Sequence, residues 1–252
     1  MAMIRTDWAP KPVEFAFPEE GQVHVWRVSL LQEAVGQFWD PILSQEELQR
    51  AARFAFERDR HTYTVTRGIL RTLLGQYLAL PPAAIRFVYN PFGKPTLASQ
   101  QNPRHLTFNV SHSHHFSLLA FGAAVDLGID VEHSGKSALA DLVPMVCSPM
   151  EQDQFRKMLP ADRERAFLRL WTHKEAILKT LGTGLSVSPE RIEVILPLEE
   201  PVQLWKGIPE MEEIADWSLC ELSVQEDYAA ALAVRARPIA VSLWEWSERI
   251  AS

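Results

Sequence analysis

Residues 128–133 read GIDVEH, an apolar run with the alternation of a β-strand that carries two carboxylates, Asp130 and Glu132, two positions apart. On a strand, residues i and i+2 point to the same face roughly 6–7 Å from one another. At an effective dielectric near 20, two negative charges at about that separation repel by roughly 3 kcal/mol. Two readings account for the pair. Either the strand lies at a sheet edge with its acids solvated, or the acids hold a hard cation such as Mg²⁺, which keeps positions open for water and phosphate.

The rest of the chain narrows the classes of function. Its 252 residues, 47% of them hydrophobic, are enough for one large core or two modest ones. A net charge of −7 gives no basic face for a nucleic-acid partner. Cys147 and Cys220 match no metal-ligand or redox spacing, so no disulfide framework is implied. No apolar run approaches the roughly 20 residues of a membrane span, and Met1 to Pro18 lacks the apolar centre of a signal peptide. The expectation is a cytoplasmic protein with neither nucleic acid nor membrane as partner.

The chain also contains a repeat. A shift of 107 places Gly21 on Gly128, Leu74-Gly75 on Leu181-Gly182, Pro82 on Pro189 and Ile85 on Ile192. Ser44 and Ser148 each precede acidic residues, as at a helix start. A later match, LTFNVSHSHHFSLLAFG against SLCELSVQEDYAAALAV, needs a shift of 112. The expected fold is α+β: two similar fused halves, residues 1–123 and 124–252, related by a pseudo-twofold axis. In this alignment Asp130 and Glu132 fall on Val23 and Val25, so the same strand tolerates apolar residues there. That weakens the purely solvated reading and places the acids near the seam, where clefts commonly bind small molecules.

Downstream, FLRLWTHKEAILKTL (167–181) shows an apolar stripe at helical spacing. Lys174 falls within the stripe, either snorkelling to water or meeting a buried anion. Glu175 and Lys179 are one turn apart, which by itself describes an ordinary i, i+4 pair. With GIDVE upstream, the WTHKEAILK segment resembles the paired signature of the Sfp-type 4′-phosphopantetheinyl transferases. FGKP (92–95) and NVSH (109–112) resemble two further features of that family, in the same order and spacing.

The resemblance implies transfer of the 4′-phosphopantetheine moiety of coenzyme A to a serine of an apo acyl or peptidyl carrier protein, with release of adenosine 3′,5′-bisphosphate. It implies Mg²⁺ held by Asp130, Glu132 and Glu175, with Glu175 also the candidate base and Lys179 the cation meeting phosphate charge. It assigns Ser111 and His112 to a coenzyme A phosphate, the turn with Gly93, Lys94 and Pro95 to the adenine end, and Arg58 of FERDR to a further basic contact. Lys174 is expected on a phosphate. Glu47 stands where the bacterial type member is basic, which leaves the 3′-phosphate contacts open. The resemblance places carrier docking at GTGLSVSP (182–189), a stretch that also reads as a helix stop. A monomer is expected, because the two halves already form a dimer-like cleft. The competing classes are a non-catalytic coenzyme A-binding module and a metal-dependent phosphodiesterase or nuclease. A zinc site at His112 and His114 lacks a third ligand at a recognisable spacing, and His114 and His115 lie outside the motif.

Overall fold

A computed structural model of the chain describes residues 3–5, 7–12, 14–31, 38–135, 139–195, 200, 202–211, 213–237 and 239–247. The first half runs β1 (Met3–Arg5), β2 (Ala9–Pro10), β3 (Gln22–Ser29), α1 (Gln45–Ala51), α2 (Glu57–Leu78), β4 (Phe87–Tyr89), β5 (Pro95–Leu97), β6 (Leu106–Ser113) and β7 (Phe116–Ala123). The second runs β8 (Leu127–His133), α3 (Leu139–Val146), α4 (Pro149–Lys157), α5 (Pro160–Leu181), β9 (Glu193–Ile195), β10 (Gln203–Lys206), β11 (Ser218–Leu222), β12 (Tyr228–Val234) and β13 (Ala240–Glu245).

Each half starts its helical part in the same way. Ser44 and Ser148 accept from the backbone N–H of Glu47 and Glu151, whose carboxylates accept in return from the serine N–H groups. These reciprocal capping boxes satisfy donors that a helix start otherwise leaves orphaned. The long helices α2 and α5 both stop on a left-handed residue, Ala79 at φ 53° and Gly182 at φ 69°. A continuous helix from Ser44 to Leu78 would have put Arg53, Arg60, Arg67 and Arg71 on one face, but the chain breaks between α1 and α2. Arg67 and Arg71 turn inward onto Glu47, at 3.1 and 2.6 Å. The acidic residue at 47 is therefore the centre of a buried ion cluster.

Two sheets carry the helices. One has the order β2-β13-β3-β7-β6 and the other β1-β11-β12-β8. Trp26, Val28, Leu73 and Leu74 belong to the core between the first sheet and α2, and Ile177, Trp217 and Leu219 to the core under α5. Val23, Val25 and Leu118 meet Ile129, Val131 and Leu232 between the sheets. The terminal strands cross over: β1 pairs in parallel with β11 of the second half, and β13 in parallel with β3 of the first.

The repeat is real in form, but its register differs from a uniform shift of 107. Pro82 and Pro189 do open matching 3₁₀ turns at that offset; β7 corresponds to β12 at 112, Leu119 and Phe121 facing the first helical core as Ala231 and Ala233 face the second, and the pairing then sets β6 on β11 at 111, one short of the expected 112. The caps Ser44 and Ser148 instead stand 104 apart. In the sheets His24 sits opposite Phe121 and Gly128 opposite Ala233, so β3 and β8 also correspond at 104. Asp130 thus takes the place of Trp26, not Val23. The stretch from helix cap to proline is longer in the second half, and a uniform shift spreads that insertion over every element. An odd error in a strand moves each residue to the opposite face.

Candidate active site

The edge strands β6 and β8 lie side by side without a backbone ladder, and side chains of β6 make the connection. Asn109 Oδ1 accepts from the N–H of Ile129 at 2.9 Å, Ser111 Oγ from Val131 at 3.4 Å and Ser113 Oγ from His133 at 3.1 Å. The alternate polar residues of NVSHS are what a strand needs to present one polar edge, a signal present in the sequence for Asn109 and Ser113. The two serines also bond the acids of β8, Ser111 Oγ to Asp130 Oδ1 at 2.8 Å and Ser113 Oγ to Glu132 Oε2 at 2.9 Å.

On the other side of β8 runs α5. A Cβ built on Gly128 would lie 2.2 Å from Ala176 O and 2.5 Å from Thr180 N. The glycine of GIDVE therefore lets the helix backbone lie against the strand. That approach brings Lys179 to β8, where its Nζ meets Asp130 Oδ1 at 2.6 Å, Ser111 Oγ at 3.0 Å and Ile129 O at 3.2 Å. Asp130 is 4% exposed. Burial raises its carboxyl above the ordinary range and Glu132 adds to this, against the pull of Lys179. Glu175 is raised by burial first and then by the charge of Asp130, with Lys179 opposing. Acids that repel one another in a poorly solvated place favour a bound cation.

Asp130 Oδ2 and Glu175 Oε1 are buried acceptors with no hydrogen-bond partner. Among the described residues, no three His, Cys, Asp or Glu side chains are grouped so that they could hold a metal ion as they stand. Unpaired oxygens on two acids, with Glu132 beside them, still fit a hard cation that completes its shell with water and phosphate.

The remaining expected contacts divide. His112 is exposed on the opposite face of β6 from Ser111, so the two do not point to one place. It lines a cleft of about 230 Å³ with Gly93, Pro95, Tyr63, Arg50 and Tyr89. A larger hollow of about 1100 Å³ also draws on Arg50, Tyr63 and Tyr89. Tyr63, Arg50 and Tyr89 are lining residues with no sequence pattern to mark them. Gly93 takes φ 85°, which a side chain would strain. Arg58 is exposed beside Asp59 and does not line the His112 cleft. His114, His115 and His133 bring their rings together, at 3.6 and 4.4 Å between successive centroids about His114.

Two lysines do other work than expected. Lys94 does not project. Its Nζ donates to Lys179 O at 2.6 Å, Thr180 O at 3.2 Å and Leu127 O at 3.3 Å, and Asn90 Nδ2 reaches Gly182 O at 2.8 Å. The FGKP turn is thereby fixed to the carbonyl end of α5, where a cation is favourable. Lys174 does not reach a phosphate either. It is wholly buried, 2.5 Å from Glu151 Oε2, and donates to Val146 O at 2.8 Å. It pairs with the capping glutamate of its half, as Arg71 pairs with Glu47 in the first. GTGLSVSP begins as a helix stop at Gly182 and continues into the 3₁₀ turn 184–186.

Residues 126–233 match the 4′-phosphopantetheinyl transferase superfamily, and residues 35–123 match the family described as 4′-phosphopantetheinyl transferase, N-terminal. The chain is 36% identical to the 4′-phosphopantetheinyl transferase HetI of Nostoc sp. over 234 residues, 92% of this chain and 95% of that one. It is 28% identical over 207 residues to the L-aminoadipate-semialdehyde dehydrogenase-phosphopantetheinyl transferase of Mus musculus, covering 77% of this chain and 67% of that one. With the 4′-phosphopantetheinyl transferase of Bacillus subtilis it shares 29% identity over 154 residues, 61% and 66% of the two chains.

Proposed function

This chain belongs to the 4′-phosphopantetheinyl transferase superfamily, and from that premise we infer that it moves the 4′-phosphopantetheine moiety of coenzyme A onto a serine of an apo acyl or peptidyl carrier protein, releasing adenosine 3′,5′-bisphosphate. The observation that carries the reading to particular residues is the meeting of Asp130, Glu132, Glu175 and Lys179 at the seam of β8, β6 and α5.

In this reading Asp130, Glu132 and Glu175 hold Mg²⁺. When bound, the ion supplies charge neutralisation on the pyrophosphate oxygens. Lys179 adds a cation on the same side, where negative charge grows on the leaving group. Glu175, its carboxyl raised by burial and by Asp130, takes the proton of the carrier serine, directly or through a water, as the serine oxygen attacks the β-phosphorus. Ser111 serves the phosphate side of the seam. Gly93, Pro95 and His112 serve the nucleotide end, with the aromatic cleft they share supporting that placement; Arg58, outside that cleft, is assigned the further basic contact on the resemblance alone. Lys94 and Lys174 shape the site from behind.

The division at 123/124 falls in the turn between β7 and β8, and we assign the metal site to the second half. The seam within one chain already builds the whole site, which favours a monomer. Cys147 and Cys220 are both buried and are not joined in a disulfide, in keeping with a reducing cytoplasm. No helix among the described residues is long and apolar enough to cross a membrane.

Incubation with coenzyme A, Mg²⁺ and apo carrier proteins from fatty-acid, polyketide and nonribosomal peptide systems, followed by mass spectrometry of each carrier, tests the reading. A carrier heavier by one phosphopantetheine, only when Mg²⁺ is present, is the expected result. A pure coenzyme A binder leaves every carrier unchanged, and a phosphodiesterase consumes coenzyme A without loading any.

A further inference from the structure

The serine after the NVSH motif carries an inference of its own, which rests on the cation site proposed above. We propose that Ser113 is a positioning residue for Glu132, fixing that carboxylate for the divalent cation through the same bridge that Ser111 makes to Asp130.

The two serines repeat one device. Ser111 Oγ spans Asp130 Oδ1 at 2.8 Å and the N–H of Val131 at 3.4 Å. Two residues on, Ser113 Oγ spans Glu132 Oε2 at 2.9 Å and the N–H of His133 at 3.1 Å. Each hydroxyl accepts from the backbone and donates its single proton to the acid just before that amide. The amide fixes where the oxygen lies, and the hydroxyl proton fixes the rotamer of the acid. Ser113 is 4% exposed, so water is a poor substitute for it. Asn109 supplies an internal comparison, because it bonds the N–H of Ile129 and neighbours no acid on β8. A seam made only to join the halves would have no use for the carboxylate half of the bridge at two successive positions.

The arrangement separates holding the halves together from preparing the metal site, and the two can be measured apart. Mn²⁺ serves as the probe, its binding to the full chain followed by electron paramagnetic resonance without coenzyme A or carrier. Removing a partner of a metal ligand typically costs about 10–100-fold in metal affinity. Ser113→Ala is expected to raise the Mn²⁺ dissociation constant by about tenfold, with Ser113→Thr, which keeps the hydroxyl, near wild type. Asn109→Ala is expected to lower the thermal midpoint while Mn²⁺ affinity stays within about twofold. Should Ser113→Ala fail to fold, Ser113→Cys keeps the shape with a weak donor and carries the same expectation. Undiminished Mn²⁺ affinity in the Ser113 variant overturns the proposal, as does an equal loss in Asn109→Ala. If the wild-type protein bound no Mn²⁺, the cation assignment itself would fall and take this inference with it.

Discussion

Lys174 separates two accounts of the catalytic helix, and replacing it with Met tests them. The ammonium and the Glu151 carboxylate are both fully buried and 2.5 Å apart. Lys174→Met keeps the stem and removes the charge, leaving Glu151 with two backbone donors, Ser148 N and Val194 N, each at 2.8 Å. Breaking a buried pair by removing one partner costs about 3–5 kcal/mol. The surviving amide bonds favour the lower end, about 3 kcal/mol. For a chain of this size each kcal/mol moves the thermal midpoint by about 2–4 °C, so a fall of roughly 6–12 °C is expected. Glu151→Gln keeps a residue the capping box accepts, and in the double variant no buried charge is stranded. Urea unfolding of both single variants and the double should therefore give a coupling of about 2 kcal/mol. The KM for coenzyme A of Lys174→Met, measured well below its midpoint, should stay within about twofold of wild type. A KM raised tenfold with stability unchanged would refute the buried-pair account and return Lys174 to the phosphate.

Four further outcomes are expected. Asp130→Ala and Glu175→Ala should each abolish carrier loading with the far-ultraviolet circular dichroism retained; turnover near wild type at saturating Mg²⁺ removes the metal assignment. His112→Ala should weaken coenzyme A by about 1.5–3 kcal/mol, the worth of a charge-assisted hydrogen bond, and leave dephospho-coenzyme A nearly unaffected; equal losses, read by calorimetry, would make His112 structural. Gly128→Ala should destabilise by at least about 1–3 kcal/mol, because α5 must retreat from β8, and carrier loading should fall with it; a denaturation midpoint like wild type would contradict the close approach. His24, buried against Tyr77 at 3.0 Å, is pushed down to about 4 from 6.5. Above pH 6.5 it is neutral folded or unfolded. Below that the unfolded chain takes up the proton first, so stability should fall between about pH 6.5 and 4, by about 3 kcal/mol in full. His24→Phe should flatten that part of the curve, and an unchanged slope argues against it.

Much of this was legible in the sequence because it is written in local patterns. GIDVE and the Glu175–Lys179 pair follow strand and helix spacing, and the capping boxes lie within four residues of Ser44 and Ser148. What was not legible depends on distant partners. Lys174 on an apolar stripe gives no sign that a capping glutamate on another helix waits for it, and the matching Glu47–Arg71 pair of the first half likewise emerges only when the helices pack. Lys94 looks like a projecting turn residue until the end of α5 is found beneath it. The register of the repeat failed for a related reason: landmarks after α5 sit beyond an insertion, and only strand pairing shows that Trp26, not Val23, stands where Asp130 does. In one half that position holds an indole whose N–H donates to the Tyr77 hydroxyl at 3.1 Å; in the other it holds an acid under a lysine.

The exchanged terminal strands bear on how the protein is made. β3 is synthesised early, yet its parallel partner β13 spans Ala240–Glu245 and follows every other strand of its sheet out of the ribosome. At roughly 5–20 residues per second, about 120 residues separate the end of β7 from that strand, a wait of roughly 6–24 s. During it one edge of β3 stands open, with the hazard of pairing to another chain. Residues 1–123 produced alone would never lose that edge, whereas a co-expressed fragment of 124–252 brings the closing strand in trans. The first half is thus a pending structure during translation, and nascent-chain protease resistance should rise sharply only once Glu245 has cleared the exit tunnel.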